Sequence, residues 1–407
     1  MEFNKSNRFN NENQKEEDLP NIEDFLDRVS DILFQEPKNS NPVHYKGEIG
    51  EFDYDSNIWE ISDDSLKFKN KEVESLPENL ELPKGCIDTS FMFSKCKKLT
   101  DISPLQNWDT STIIYMKNMF YGCENLTDIT PLQNWDISNV EDMSSLFSHC
   151  EKLKDITPLQ NWDTSNVKNI SEMFYNCQDI TYITSLQDWN TSSVMYMGGM
   201  FAYCINLIDI SPLQNWDTSN VRVIMDMFSN CEHLTDITSL QDWNTSSVMY
   251  MGRMFKYCTN LTNISSLKNW DTSNVTDIAW LLKNCTNLTD ISALQNWDTS
   301  NVTNMSGMFE DCEILTDITP LQNWDTSNVK EMSHMFGDCK NLSDITPLQN
   351  WDTSNVKNMS RMFNSCYNLT DISPLENWNT SKVENMEDMF KFCSKITDKS
   401  QLLKFKK

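Results

Sequence analysis

Cysteine and tryptophan recur along this chain with one fixed step, and that step limits what the chain can fold into. Cys96, Cys123, Cys150, Cys177, Cys204, Cys231, Cys258, Cys285, Cys312, Cys339, Cys366 and Cys393 are each 27 residues apart. Trp108, Trp135, Trp162, Trp189, Trp216, Trp243, Trp270, Trp297, Trp324, Trp351 and Trp378 keep the same interval. A unit of this size cannot bury its apolar face alone, so copies must stack and share one core.

Within a unit the apolar residues follow two spacings. Val140, Met143, Leu146, Phe147 and Cys150 lie three and four apart, which predicts a short helix with Asp136 or Ser138 at its start. Leu153, Ile156 and Leu159 follow at steps of three, with Pro158 ending any helix and "KLKDI" short enough for a strand. The expectation is an α/β solenoid, a leucine-rich-repeat-like right-handed superhelix of about twelve coils. Each coil would hold a short helix and a short parallel strand.

The expected organisation has four parts. Residues 1–19 are polar and read as disordered, while 20–80 form a small helix-and-strand segment or cap. The helix of that segment is carried by "NIEDFLDRVSDILF", and "GEIGEFDYDSNIWEI" reads as one or two strands. Residues 81–397 are the repeat solenoid, opened by a degraded coil in which Glu81 holds the tryptophan position and Cys86 the valine position. Residues 398–407 form a basic tail.

"NWDTSNVKNMSRMFNSCYNLTDISPL" resembles the repeat of the BspA-like leucine-rich-repeat surface proteins, in the variant abundant in mycoplasmas and also found in protists and large viruses. Trp351, Asp352, Thr353, Ser354, Val356, Met359, Met362, Phe363, Cys366, Leu369 and Ile372 carry the likeness. The resemblance implies the repeat fold, and with it surface display, adhesion or host interaction.

Chemistry is thinly represented. Four histidines, His44, His149, His233 and His334, share no repeat phase, and no triad, phosphate loop or HExxH is present. No enzymatic activity and no cofactor are expected. Two aspartate columns, one through Asp109 and Asp136 and one through Asp128 and Asp155, invite a calcium ladder. Asn190, Asn244, Asn263 and Tyr182 interrupt them and point to turn formation instead. The cysteine column reads as buried filler without pairing or zinc.

A net charge of -27 argues against nucleic acid and anionic membrane as partners. No stretch is long and apolar enough to span a membrane, and no secretory signal opens the chain. That reading favours a cytoplasmic or virion-associated protein, whereas the family resemblance favours the cell surface. The partner expected is a protein or a glycan, with a second copy of the chain as a further option. The alternative function is an intracellular or virion structural scaffold.

Trp108, Trp135, Trp162, Trp216 and Trp351, with Cys123, Cys150 and Cys366, are assigned to the repeat framework. Binding is sought where copies differ. One outward-looking series runs Asn118, Ser145, Glu172, Gly199, Asp226, Arg253, Trp280, Gly307, His334, Arg361 and Asp388. Trp280 is its outlier and a candidate anchor, with Arg253 and Arg361 as further candidates. The near-identical blocks at 185–204 and 239–258 supply Tyr196, Tyr203, Tyr250 and Tyr257 as a candidate aromatic patch.

Overall fold

The computed structural model describes residues 57–62, 65–398 and 400–405. The chain divides into two units, Met1–Ile49 and Gly50–Lys407, and all described residues belong to the second. The polar start and the helix expected near residues 22–33 lie outside the described residues.

The repeats stack as a solenoid of 27-residue coils, but the coil is built differently from the expectation. No α-helix occurs among the described residues. In the coil starting at Trp162, alternate amides leave for the next coil: Ile170 N donates to Tyr196 O (2.9 Å), Glu172 N to Gly198 O (2.8 Å), Phe174 N to Met200 O (3.0 Å) and Asn176 N to Ala202 O (2.8 Å). The amides between them turn back three residues, Tyr175 N to Glu172 O (2.9 Å) and Cys177 N to Phe174 O (3.1 Å). Consecutive tight turns therefore produce the three-and-four apolar spacing that a helix would also produce. A helix would have spent every amide within its own coil. Here half of them join neighbouring coils.

That alternation requires a left-handed residue twice per coil. Glu172 (φ 55°) and Asn176 (φ 57°) serve in this coil, Asp226 (φ 57°) and Asn230 (φ 61°) two coils later. The outward-looking series from Asn118 to Asp388 is the first of these left-handed columns. A non-glycine residue in this region costs about 1–2 kcal/mol, which the inter-coil hydrogen bonds offset.

The expected strand per coil is likewise absent. Neighbouring coils share isolated parallel bridges, such as Asn169 with Tyr196 and Val223 with Tyr250. Where "KLKDI" leads toward a strand, the chain instead enters a 3-10 turn, Thr157–Leu159, and Pro158 sits inside it. The described strands form one antiparallel hairpin, β1 (Trp59–Ser62) and β2 (Ser65–Phe68), with Trp59 opposite Phe68.

Core side chains stack upon their own copies. Phe120, Phe147, Phe174, Phe201 and Phe228 form a buried column with ring centroids 5.6–6.0 Å apart. Leu282 interrupts the column between Phe255 and Phe309. The hairpin covers the first coil: Trp59 and Phe68 lie 5.9 and 5.8 Å from Phe93, and Phe68 N donates to Met92 O (2.7 Å). At the other end, residues 401–405 of the basic segment expected as a tail are folded. Their 3-10 turn Gln401–Phe405 sets Phe405 edge-on to Phe390 (5.3 Å), and Lys404 Nζ donates to Trp378 O (2.7 Å).

Candidate interaction surface

The repeated polar residues are occupied inside the stack. Trp162 Nε1 donates to Leu132 O of the preceding coil (3.1 Å), and Thr164 Oγ1 to Asn190 O of the following coil (3.0 Å). Asn166 Nδ2 donates to Ser138 O (2.7 Å), and Cys177 Sγ to Phe147 O (3.1 Å). The thirteen cysteines are buried and free, each column thiol after the first held by a phenylalanine or leucine carbonyl one coil back. Burial pushes the Cys86 and Cys96 thiols up to about 11.

Both aspartate columns close turns. Asp271 Oδ1 accepts Ser273 N (3.0 Å) and Ser273 Oγ (2.6 Å), and Asp155 Oδ1 accepts Thr157 N (2.9 Å). The hydroxyl and amide donors hold these carboxyls below their ordinary range. Asn263 Oδ1 accepts Ser265 N (2.8 Å) in the same way, so the position asks for an acceptor and not for a charge. Among the described residues no group of three or more His, Cys, Asp or Glu is placed to hold a metal.

Variation collects around the left-handed columns. Tyr121, His149, Tyr175 and Tyr203 zigzag between adjacent positions of successive coils, each ring 5.3 Å from the next. Further along, the surface changes to ion pairs. Arg253 Nε meets Asp226 Oδ2 (2.7 Å), and Arg253 also donates to Met225 Sδ (3.2 Å). Burial raises the Asp226 carboxyl, opposed by Arg253. Glu310 lies between Lys283 (3.0 Å) and His334 Nδ1 (3.0 Å). Burial pushes Glu310 up, but His334 and Lys283 outweigh it and hold the carboxyl below its usual value. Arg361 is exposed, 3.9 Å from Asp388.

Trp280 stands in the first left-handed column (φ 52°) and is half-buried. Its indole occupies the space over Gly307, the same position one coil later, where any Cβ would collide with the ring. The four tyrosines proposed as one patch are divided between two columns seven residues apart. Tyr196 and Tyr250 belong to the bridge column, and Tyr196 is only 3% exposed, covered by neighbouring coils. This removes Tyr196 from the accessible candidates. Tyr203 is 39% exposed and ends the ring row, while Tyr257 is half-buried with Lys256 Nζ 5.3 Å from its ring. Tyr121, His149 and Tyr175 were not singled out by the sequence reading. Following two adjacent positions together, instead of one column, would have shown their alternation.

This geometry defines a tandem-repeat solenoid whose uniform positions are consumed in stacking. The chain belongs to the family described as Mycoplasma protein of unknown function, DUF285, whose model matches residues 87–208, 179–289, 260–346 and 316–406. Among curated proteins none matches. Solved structures similar to this chain include a leucine-rich cell surface protein from Faecalibacterium prausnitzii, at 15% identity and TM-score 0.37, covering 82% of this chain and 94% of that one. Another is a leucine-rich-repeat protein from Eubacterium ventriosum, at 16% identity and TM-score 0.36, covering 74% and 78%. No helix among the described residues is long and apolar enough to cross a membrane.

Proposed function

We propose that the chain is a non-enzymatic scaffold that binds a protein or glycan partner, in a role like that of the BspA-like surface adhesins. The observation that carries this reading is the division of labour between columns. Repeated polar groups satisfy one another within the stack, whereas the ring row from Tyr121 to Tyr203, half-buried as far as Tyr175 and exposed at Tyr203, is a run of rings that the other coils do not repeat. Aromatic rings held on a rigid frame bury much area at little entropic cost, which suits recognition. The described histidines fit this reading. His149 belongs to the ring row, His233 Nδ1 pairs with Ile205 O (2.6 Å), and His334 pairs with Glu310.

One observation favours an intracellular or virion scaffold instead: thirteen buried free thiols suit a reducing compartment. The test couples capture to a surface variant. Tyr203→Asn introduces the residue found at Asn176 and Asn230 of the same column, so the left-handed backbone is kept. The full chain should retain a defined partner from its native source and lose it on this substitution, with the melting temperature unchanged. Identical partner sets for the two proteins would defeat the reading. Fractionation that found the protein only inside cells or particles would select the second.

A further inference from the structure

Five residues that break their columns converge on one cleft. Lys152 and Asp179 stand where other coils carry Asn125, Asn206 and Asn260, and Lys154 stands where they carry Thr127, Thr235 and Thr262. Tyr182 replaces the aspartate seen at Asp155 and Asp209, and Ser185 the proline seen at Pro158 and Pro212. The usual residues have internal tasks. Asn206 Nδ2 donates to Gln178 O (2.9 Å), and Asp209 Oδ1 accepts Ser211 N (2.8 Å). A tyrosine cannot replace that turn acceptor, so the departure costs the coil something and gives the surface something else.

The cleft encloses about 600 Å³ and is lined by Lys152, Lys154, Asp155, Asp179, Tyr182 and Ser185, among others. Tyr182 is 58% exposed, the most accessible tyrosine among the large exposed side chains. Ser185 is 6% exposed, and its Oγ has no hydrogen-bond partner. Ser239 and Ser266 share that trait, but their coils carry Asp236 and Asn263 in place of Tyr182. The site is therefore set apart by the Tyr182 ring, the Lys154 ammonium and the Asp179 carboxylate, beside Lys152, whose Nζ donates to Asn125 Oδ1 (2.6 Å), and Asp155, the turn carboxylate of its column.

We infer that this cleft binds a neutral hexopyranose at the end of a glycan. The apolar face of the sugar ring lies on Tyr182, while its hydroxyls accept from Lys152 and Lys154 and donate to Asp179. Ammonium groups only donate and carboxylates only accept, so a lining with both suits a ligand whose hydroxyls do both. A sialylated or sulfated sugar would face Asp155 and Asp179 in a chain of net charge -27. An apolar ligand would desolvate four charged groups without replacing their hydrogen bonds.

The inference rests on the scaffold reading in one respect, that the chain binds its ligand without transforming it. The intact protein is applied to immobilised neutral, sialylated and sulfated oligosaccharides, beside Tyr182→Asp and Lys154→Thr. Each variant restores the residue usual in its column, so folding is kept, and melting curves verify this. The expected result is binding to neutral glycans, weakened about thirtyfold or more by Tyr182→Asp, as for loss of a central aromatic anchor. Salt should change it little, because no net ion pairing is involved. Binding to anionic glycans alone, to no glycan, or equally by Tyr182→Asp overturns the site. The scaffold reading survives each of those results if Tyr203→Asn still abolishes partner capture, and fails alone if only the sugar response is seen.

Discussion

Placing a methyl group beneath Trp280 tests the packing of the left-handed column directly. Gly307 has φ +56°, and a Cβ there would fall well inside contact distance of the Trp280 ring. Two costs separate cleanly in Gly307→Ala. The left-handed backbone penalises alanine by about 1 kcal/mol whatever surrounds it. Displacing the indole adds a second cost: if the ring gives up roughly 60 Å² of apolar contact at about 25 cal/mol per Å², that is about 1.5 kcal/mol. The single variant should lose about 2.5 kcal/mol. In a Trp280→Ser background, where no ring is displaced, the same change should cost only the backbone part, about 1 kcal/mol. A double-mutant cycle by urea unfolding, with near-ultraviolet circular dichroism as the probe, reads the coupling of about 1.5 kcal/mol. Additive effects of the two substitutions would show that Trp280 does not rest on Gly307 in solution and would return it to the list of free anchors.

Two further outcomes follow from the columns. In native protein no column thiol should react with a thiol reagent at pH 8, and all thirteen cysteines should react in urea, since burial holds them protonated and covered; several fast-reacting thiols without denaturant would contradict the packing. Thermal stability should rise as pH falls from 7 to 5 and decline below about 4. Asp311, raised to about 6 mainly by burial and then by Glu310, is destabilising when charged, so protonation relieves it. The turn carboxyls, such as Asp136, Asp271 and Asp298, are held below their unfolded value, so their contribution is present above about pH 4 and lost beneath it. A melting temperature that falls steadily from pH 7 would refute this assignment.

The period and the buried columns were legible because each depends on residue type at a fixed step. The coil interior was misread because Val140, Met143, Phe147 and Cys150 carry the same spacing whether amides turn back three residues or four. A discriminating signal was present: Gly199, Gly307, Asn176 and Asn230 fall at two positions four apart, and such residues tolerate left-handed backbone. The burial of Tyr196 was not legible, since its neighbours in the bridge column include both Asn169 and Val223. Tyr182 was visible only as an interruption of an aspartate column, and its significance depends on lysines from the preceding coil that only folding brings beside it.

The cross-coil bonds have fixed offsets: Thr164 reaches 26 residues forward, Asn166 28 residues back, and Trp162 and Cys177 30 residues back. An inserted residue would break every such bond across one junction at once, whereas a gain or loss of a whole coil would break none. The gene is thus free to lengthen or shorten only in complete steps, through recombination between its own copies. The near-identical blocks at 185–204 and 239–258, two whole coils apart, have the form such an exchange would leave. Surface variety in this protein would then arise by reshuffling finished coils, with a new surface residue delivered on a frame that already fits.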